Sequence, residues 1–306
     1  KDYNKALITN NQMQILFLGT SSMVPTKERN QNGILISHGS EGILVDCGEG
    51  MQRQLKIAGV SLTKITKILI SHWHGDHVLG LPGLIQSMSA AGYEKTLMIY
   101  GPLGTKKFME KMFEVFIFDR KINFEVHEVK KGRFFENDEI VLEAELLEHN
   151  IETLGYNIIE KDKRKINLKF VKKLGIPDGP LLGKLQDGKS ITWKGNKIEA
   201  DKATYVVKGK KVTVISDTVP CKAAGILAKD CDLLICEATY SSSLESKGEE
   251  YGHMTAKQAA ELANRSNAKK LVLTHFSARY KNTHELEEDA RNYFDDVLCA
   301  KDFMKI

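Results

Sequence analysis

A six-residue run, His72-Trp73-His74-Gly75-Asp76-His77, leaves this chain few ways to fold. Three of its nine histidines and a carboxylate fall there, directly behind the apolar stretch Lys67-Ile68-Leu69-Ile70-Ser71. That stretch has the length and β-branched content of a buried strand. Where such a strand ends the chain turns, and side chains at i, i+2, i+4 and i+5 can converge on one point. Imidazoles and a carboxylate gathered in this way are costly to bury unless something binds them. Neutral imidazole with carboxylate suits zinc, and no thiolate lies within the run. Gly75 reads as the residue that permits the tight path.

One short loop cannot complete two coordination spheres, so further ligands are sought at other strand ends. His149 closes a predicted strand over 139–147, Asp217 follows 212–216, and His275 follows 271–274. The assignment places His72, His74 and His149 on one metal and Asp76, His77 and His275 on the other, with Asp217 bridging. Two Zn²⁺ about 3.5–4 Å apart would hold a water between them and lower its pKa from about 15.7 towards 7. The resulting hydroxide suits in-line attack at phosphorus. Mn²⁺ or another divalent ion fits the same donors.

The rest of the chain alternates in β/α fashion. Strands are predicted at 14–20, 67–71, 97–100, 122–129, 139–147, 232–236 and 270–274, and hairpins at 33–47 and 204–216, the second turning at Gly209. Helices are predicted at 50–58, 104–115, 221–228, 256–263 and 285–294. Thr255 with Gln258 makes a capping box for the helix at 256. Between the two β/α halves, residues 161–197 carry 11 Lys and Arg against 3 Asp, a local charge of +8 in a chain of net charge +4. The segment contains the turn-rich run Gly175-Ile176-Pro177-Asp178-Gly179-Pro180-Leu181-Leu182-Gly183.

The chain has 306 residues, 42% apolar and 27% charged, which excludes a disordered or collagen-like protein. No apolar run approaches the roughly 18 residues of a membrane helix, so no membrane partner is expected. Five cysteines, odd in number and without a C-x-x-C pair, argue for a reducing, cytoplasmic setting. Residues 1–12 precede Met13 and are set aside as an N-terminal extension. Residues 13–306 are read as one α/β domain, with 161–199 as an inserted flexible arm.

The His-x-His-x-Asp-His run resembles the metallo-β-lactamase superfamily. From Met13 onward the chain is similar to the ribonuclease Z family, the short-form tRNA 3′-endonucleases. Phe17-Leu18-Gly19-Thr20, Asp46-Cys47-Gly48-Glu49-Gly50, Ser216-Asp217-Thr218 and Leu273-Thr274-His275-Phe276-Ser277-Ala278-Arg279-Tyr280 match its motifs. Pro25-Thr26-Lys27-Glu28-Arg29-Asn30 resembles the family loop that senses the tRNA 3′ end. Glu237-Ala238-Thr239 and His253-Met254-Thr255 resemble the pair that handles protons, although Cys236 and Met254 stand where histidine and serine are common.

The resemblance implies an αβ/βα sandwich of two facing mixed sheets with outer helices, and a protruding basic exosite arm. It implies a homodimer and two zinc ions per subunit. It implies a cut in precursor tRNA after the discriminator nucleotide that leaves a 3′-hydroxyl. Asp76, Glu237 and His253 are then catalytic, with His253 the general acid. Lys27, Arg29, Asn30, Lys172, Lys173, Gly179, Pro180, Lys184 and Arg279 are the RNA contacts. Two other readings remain open on sequence: a small-molecule hydrolase of the same fold, which needs the ligands but not the arm, and a non-catalytic RNA-binding protein.

Overall fold

The computed structural model describes residues 13–117 and 121–306, so the extension at 1–12 lies outside the described residues. Gln14–Gly19, Gly33–His38 and Glu41–Val45 form an antiparallel meander, reversed at Gly39 with φ of 56°. Lys67–Leu69, Thr96–Gly101 and Asn123–Glu128 then add in parallel, in that order, to complete a six-stranded sheet. The second sheet has seven strands in the order Val297–Cys299, Leu271–Thr274, Leu233–Glu237, Lys211–Ile215, Thr153–Glu160, Ile140–Leu147 and Gly132–Glu136. Its first four strands run parallel to one another.

The sheets face each other across an apolar layer that includes Phe17, Ile36, Val45, Leu142, Tyr156, Val214 and Ile235. A second layer packs Met51–Ile57, Leu81–Ala90 and Thr105–Val115 outside the first sheet. A third packs Lys222–Ala228, Ala256–Arg265 and His284–Arg291 outside the second sheet. Near-continuous burial along the strands makes this four-layer sandwich, because each sheet has apolar side chains on both faces. Among the described residues no helix is long and apolar enough to cross a membrane.

Residues Ile159–Lys210 form a separate compact unit. Its core is Val171, Ile176, Leu182, Leu185, Ile191, Ala200 and Ala203. Lys163–Ile166 pairs antiparallel with Thr204–Val207, which carries the unit past residue 199. The same pairing corrects the hairpin expected over 204–216. Thr204–Val207 and Lys211–Ile215 belong to different sheets, and Gly209 marks the passage between them rather than a two-strand turn. A side chain at Gly209 would meet the Glu160 carbonyl oxygen at 1.8 Å. The turn composition there was real, but its cause is close backbone approach.

Candidate metal centre

The chemistry gathers where parallel strands end, the usual place for ligand groups in α/β sheets. Asp46 follows Glu41–Val45, His72 follows Lys67–Leu69, Asp217 follows Lys211–Ile215, and His275 follows Leu271–Thr274. Gly75 does not adopt a left-handed turn. It opens the short helix Gly75–Val78, which aims Asp76 and His77 inward. The glycine the site requires is Gly48, where a Cβ would lie 2.7 Å from the Asp76 carbonyl oxygen.

Two donor sets form. His72, His74, His149 and Asp217 make one; Asp76, His77, Asp217 and His275 make the other. In the first, His74 Nδ1 lies 3.0 Å from His72 Nε2 and 3.2 Å from His149 Nε2. In the second, His77 Nε2 lies 3.2 Å from His275 Nε2 and 3.3 Å from Asp76 Oδ2. Asp217 Oδ2 stands 3.6 Å from His72 Nε2 and 3.4 Å from His77 Nε2, so one carboxylate serves both sets.

The protons on these rings can be placed from their outer partners. His77 Nδ1–H donates to Asp46 Oδ2 at 2.8 Å, and His149 Nδ1–H donates to the Gly252 carbonyl at 2.9 Å. Ser71 Oγ gives its proton to Asp46, so it accepts from His72 Nδ1–H at 2.9 Å. Thr239 Oγ1 gives its proton to Glu237, so it accepts from His275 Nδ1–H at 3.0 Å. When neutral, each of these four rings therefore turns an Nε2 lone pair inward. The His77 and His275 lone pairs, 3.2 Å apart, then repel unless a cation or a proton lies between them. The spacing is close to the roughly 3.3 Å edge of a tetrahedron built on Zn–N bonds of about 2.0–2.1 Å. Divalent metal fits this donor set, and the outer hydrogen bonds are those that orient ligating imidazoles.

The electrostatics agree. Burial lowers the His72 pKa well below the ordinary imidazole value, with His77 adding to the effect. Burial also opposes charge on His77, yet Asp217 and Asp46 outweigh it and hold that ring well above its ordinary value. Burial would raise Asp76, but His275 and His77 keep its carboxyl well below the carboxylate range. The centre calls for positive charge, which protons supply only in part.

Asp46 is the residue that sequence reasoning left without a role. It is fully buried and accepts from Asn32 Nδ2, the Ser71 amide and Ser71 Oγ as well as from His77. Its place in the Asp-Cys-Gly-Glu-Gly motif was the available signal. Both Asp46 and His275 have φ near +60°, at 58° and 61°. Such backbone is uncommon for non-glycine residues and collects at functional sites.

Beside the donor sets lies a dyad. His253 Nδ1 is 3.2 Å from both oxygens of Glu237, and its ring is 5.5 Å from those of His149 and His275. Glu237 is fully buried and accepts from the Thr218 amide and Thr239 Oγ1, each at 2.7 Å. Burial pulls the His253 imidazole down, but Glu237 and then Asp217 hold it up at about 9. His253 sits two residues before the capping box of Thr255 and Gln258, which fixes the start of Ala256–Arg265. Cys236 and Met254 lie in the apolar cluster behind the second sheet, so these departures alter packing there.

The expected RNA contacts divide. Lys172, Lys173, Gly179, Pro180 and Lys184 are exposed on the Ile159–Lys210 unit. Lys27 is exposed, Asn30 donates to the Glu49 carbonyl, and Arg279 lies over the Tyr240 ring at 5.4 Å. Arg29 is a correction. It is buried, and its guanidinium donates to the carbonyls of Tyr280 at 2.6 Å and Ser277 at 3.3 Å. It pins the 25–30 loop to the segment after His275 and is not free to meet phosphate.

The comparisons with known proteins agree with this geometry. A family model described as anti-Pycsar protein Apyc1 matches residues 13–159, and one described as a beta-lactamase superfamily domain matches 187–276. The ribonuclease Z of Archaeoglobus fulgidus is 40% identical over 299 residues, covering 96% of this chain and 97% of that protein. That of Methanothermobacter thermautotrophicus is 40% identical over 295 residues, covering 96% of each. The chain belongs to the ribonuclease Z family. The crystal structure of the short form of human tRNase Z (ELAC1) superposes with a TM-score of 0.70 at 27% identity, over 96% of this chain and 98% of that one. The metallo-β-lactamase sandwich expected of a ribonuclease Z is the fold observed, and the chain is a metal-dependent phosphodiester hydrolase of that family.

Proposed function

We propose that this ribonuclease Z cuts the 3′ trailer from precursor tRNA after the discriminator nucleotide and leaves a 3′-hydroxyl on the tRNA. The observation that carries the reading is the paired donor sets sharing Asp217, with the His253–Glu237 dyad at their side. His72, His74, His149 and Asp217 would hold one Zn²⁺, and Asp76, His77, His275 and Asp217 a second. When bound, such ions supply an acidified water and polarise the phosphate oxygens.

The remaining work falls to the chain. Asp76 ligates and orients the attacking water. Glu237 fixes the His253 ring through Nδ1, which leaves Nε2 to donate a proton to the departing 3′-oxygen. The Glu237 carboxylate also stabilises the imidazolium before that transfer. Outside the centre, Lys172, Lys173 and Lys184 attract RNA backbone through counterion release, and Gly179 and Pro180 shape their loop. In this reading the enzyme is a cytoplasmic homodimer in which the Ile159–Lys210 unit of one subunit grips tRNA presented to the other. Lys27, Asn30 and Arg279 meet RNA near the cut.

The test uses one precursor tRNA with a 3′ trailer, incubated with the protein and with Asp76→Ala, and maps new ends at nucleotide resolution. A single cut at the discriminator, absent in the variant, is expected. No cut, in protein holding two metals per chain, favours the small-molecule hydrolase.

A further inference from the structure

Trp73 stands between the donors His72 and His74 and has no part in the metal centre. Its indole N–H donates to Thr105 Oγ1 at 2.9 Å, and that hydroxyl donates to the Pro102 carbonyl at 2.7 Å. The ring is therefore fixed in one orientation. Phe108 lies against it, with centroids 5.0 Å apart and planes inclined by 42°. The helix Thr105–Val115 buries Thr105, Met109 and Phe113 on one stripe. Phe108 falls off that stripe and keeps 42% of its surface in solvent.

Other exposed apolar side chains lie on the segments that follow His77 and His149 and precede Phe108. Leu103 is 57% exposed, Leu79 56% and Ile151 38%. The Leu103 amide donates to Glu152 Oε1 at 2.8 Å, which ties the loop before Phe108 to the segment after His149. Exposed apolar side chains thus stand close in sequence to the His72–His77 run, the helix Thr105–Val115 and His149. Neither the donor sets nor the His253–Glu237 dyad uses them, and Trp73, held in the chain between two donors, ties Phe108 to the site. A phosphodiester held at the donor sets would bring a flanking base within reach of the ring that packs on Trp73.

We propose that Phe108, backed by Trp73, is a stacking ledge for an unpaired nucleobase within one nucleotide of the scissile phosphate. The inference rests on the RNA reading above. Every base has a π-face, so the ledge holds the strand without reading its sequence. It aligns the phosphate with the donor sets, which makes Phe108 a specificity residue that favours RNA over small phosphodiesters.

The test uses the zinc-loaded enzyme and precursor tRNAs that are abasic at one or other nucleotide flanking the cut. On intact RNA, Phe108→Ala is expected to raise KM about 5- to 150-fold, the range for loss of one stacked base, with metal content and Tm unchanged. At the contacted position the abasic RNA costs the wild type the same factor and costs the variant nothing further. Phe108→Tyr restores the wild-type values. Equal abasic penalties in both proteins at both positions overturn the ledge. As a second measurement, 5-iodouridine at each position is irradiated on the enzyme and the adduct mapped. Adducts on Phe108 or Trp73 are expected, and adducts confined elsewhere overturn the proposal. If RNA is bound but never cut, the endonuclease reading fails while the crosslink still decides the ledge.

Discussion

Asp46 shows how far a candidate metal centre is shaped by residues outside its donor sets. One carboxylate aligns His77 directly and His72 through Ser71, so it fixes a ring in each donor set. Asp46→Asn is expected to weaken metal affinity about 10- to 100-fold while the fold persists, read by competition with a chelating dye. His253→Ala should instead keep its metals and lose about 10²–10⁴-fold in kcat on precursor tRNA, checked by metal analysis beside single-turnover rates. Loss of zinc in that variant would remove His253 from the role of acid. The residues of the two sets could be picked out in sequence because four of them, His72, His149, Asp217 and His275, follow apolar runs, the other three share the His72–His77 run, and strand ends meet at a sheet edge. Asp46 and Arg29 could not. An aspartate in a motif looks the same whether it binds metal or a ligand's outer nitrogen. An arginine in a polar loop gives no sign that carbonyls 248 and 251 residues away will claim it.

At the scale of elements, short strands are held in register by contacts outside the backbone ladder. Lys67 opens the strand that leads to His72 and is almost wholly buried, paired with Glu41 and placed over the Phe135 ring. Burial would raise the Glu41 pKa, but hydrogen bonds from Lys67 and Thr66 outweigh it and lower the value. A depressed folded value means stability that is present above the unfolded pKa of about 4.3 and is lost as pH falls through the folded one. Glu41→Gln should therefore lower the urea midpoint at pH 7, where it strands a buried ammonium. The gap to wild type should narrow as pH drops below about 4. All strands of the six-stranded sheet were readable from apolar runs to within a few residues, but the helix Leu81–Ala90 and the strands Gly132–Glu136 and Val297–Cys299 were not. The strand Thr153–Glu160 was not, because Gly155 interrupts it. A Cβ there would meet Leu227 at 2.5 Å, so the glycine serves helix packing that only the folded sheet reveals.

Over the whole molecule, the chain combines a sandwich with a unit that has its own core. That unit starts and ends within a sheet pairing, so it should be removable as a piece. Replacing residues 161–208 by a short Gly-Ser linker is expected to leave hydrolysis of a small phosphodiester near wild type. Binding of precursor tRNA should weaken steeply, with a shallower salt dependence in a titration from low to moderate salt. Equal loss of both activities would make the unit part of the catalytic fold. The first sheet keeps its strands in chain order, whereas in the second Thr153–Glu160 neighbours Lys211–Ile215 with some fifty residues between them, a pairing no local pattern announces.

The inward lone pairs and the left-handed backbone at Asp46 and His275 carry a consequence for the life of the protein. A bound cation would relieve the inward lone pairs, so metal held at the donor sets would add to the stability of the native state. Chelation should lower Tm and speed digestion by a protease, and added zinc should reverse both. In a growing cell, newly made chains that meet scarce metal would be culled before they matured. The amount of working enzyme, and not only its rate, would then follow the metal supply.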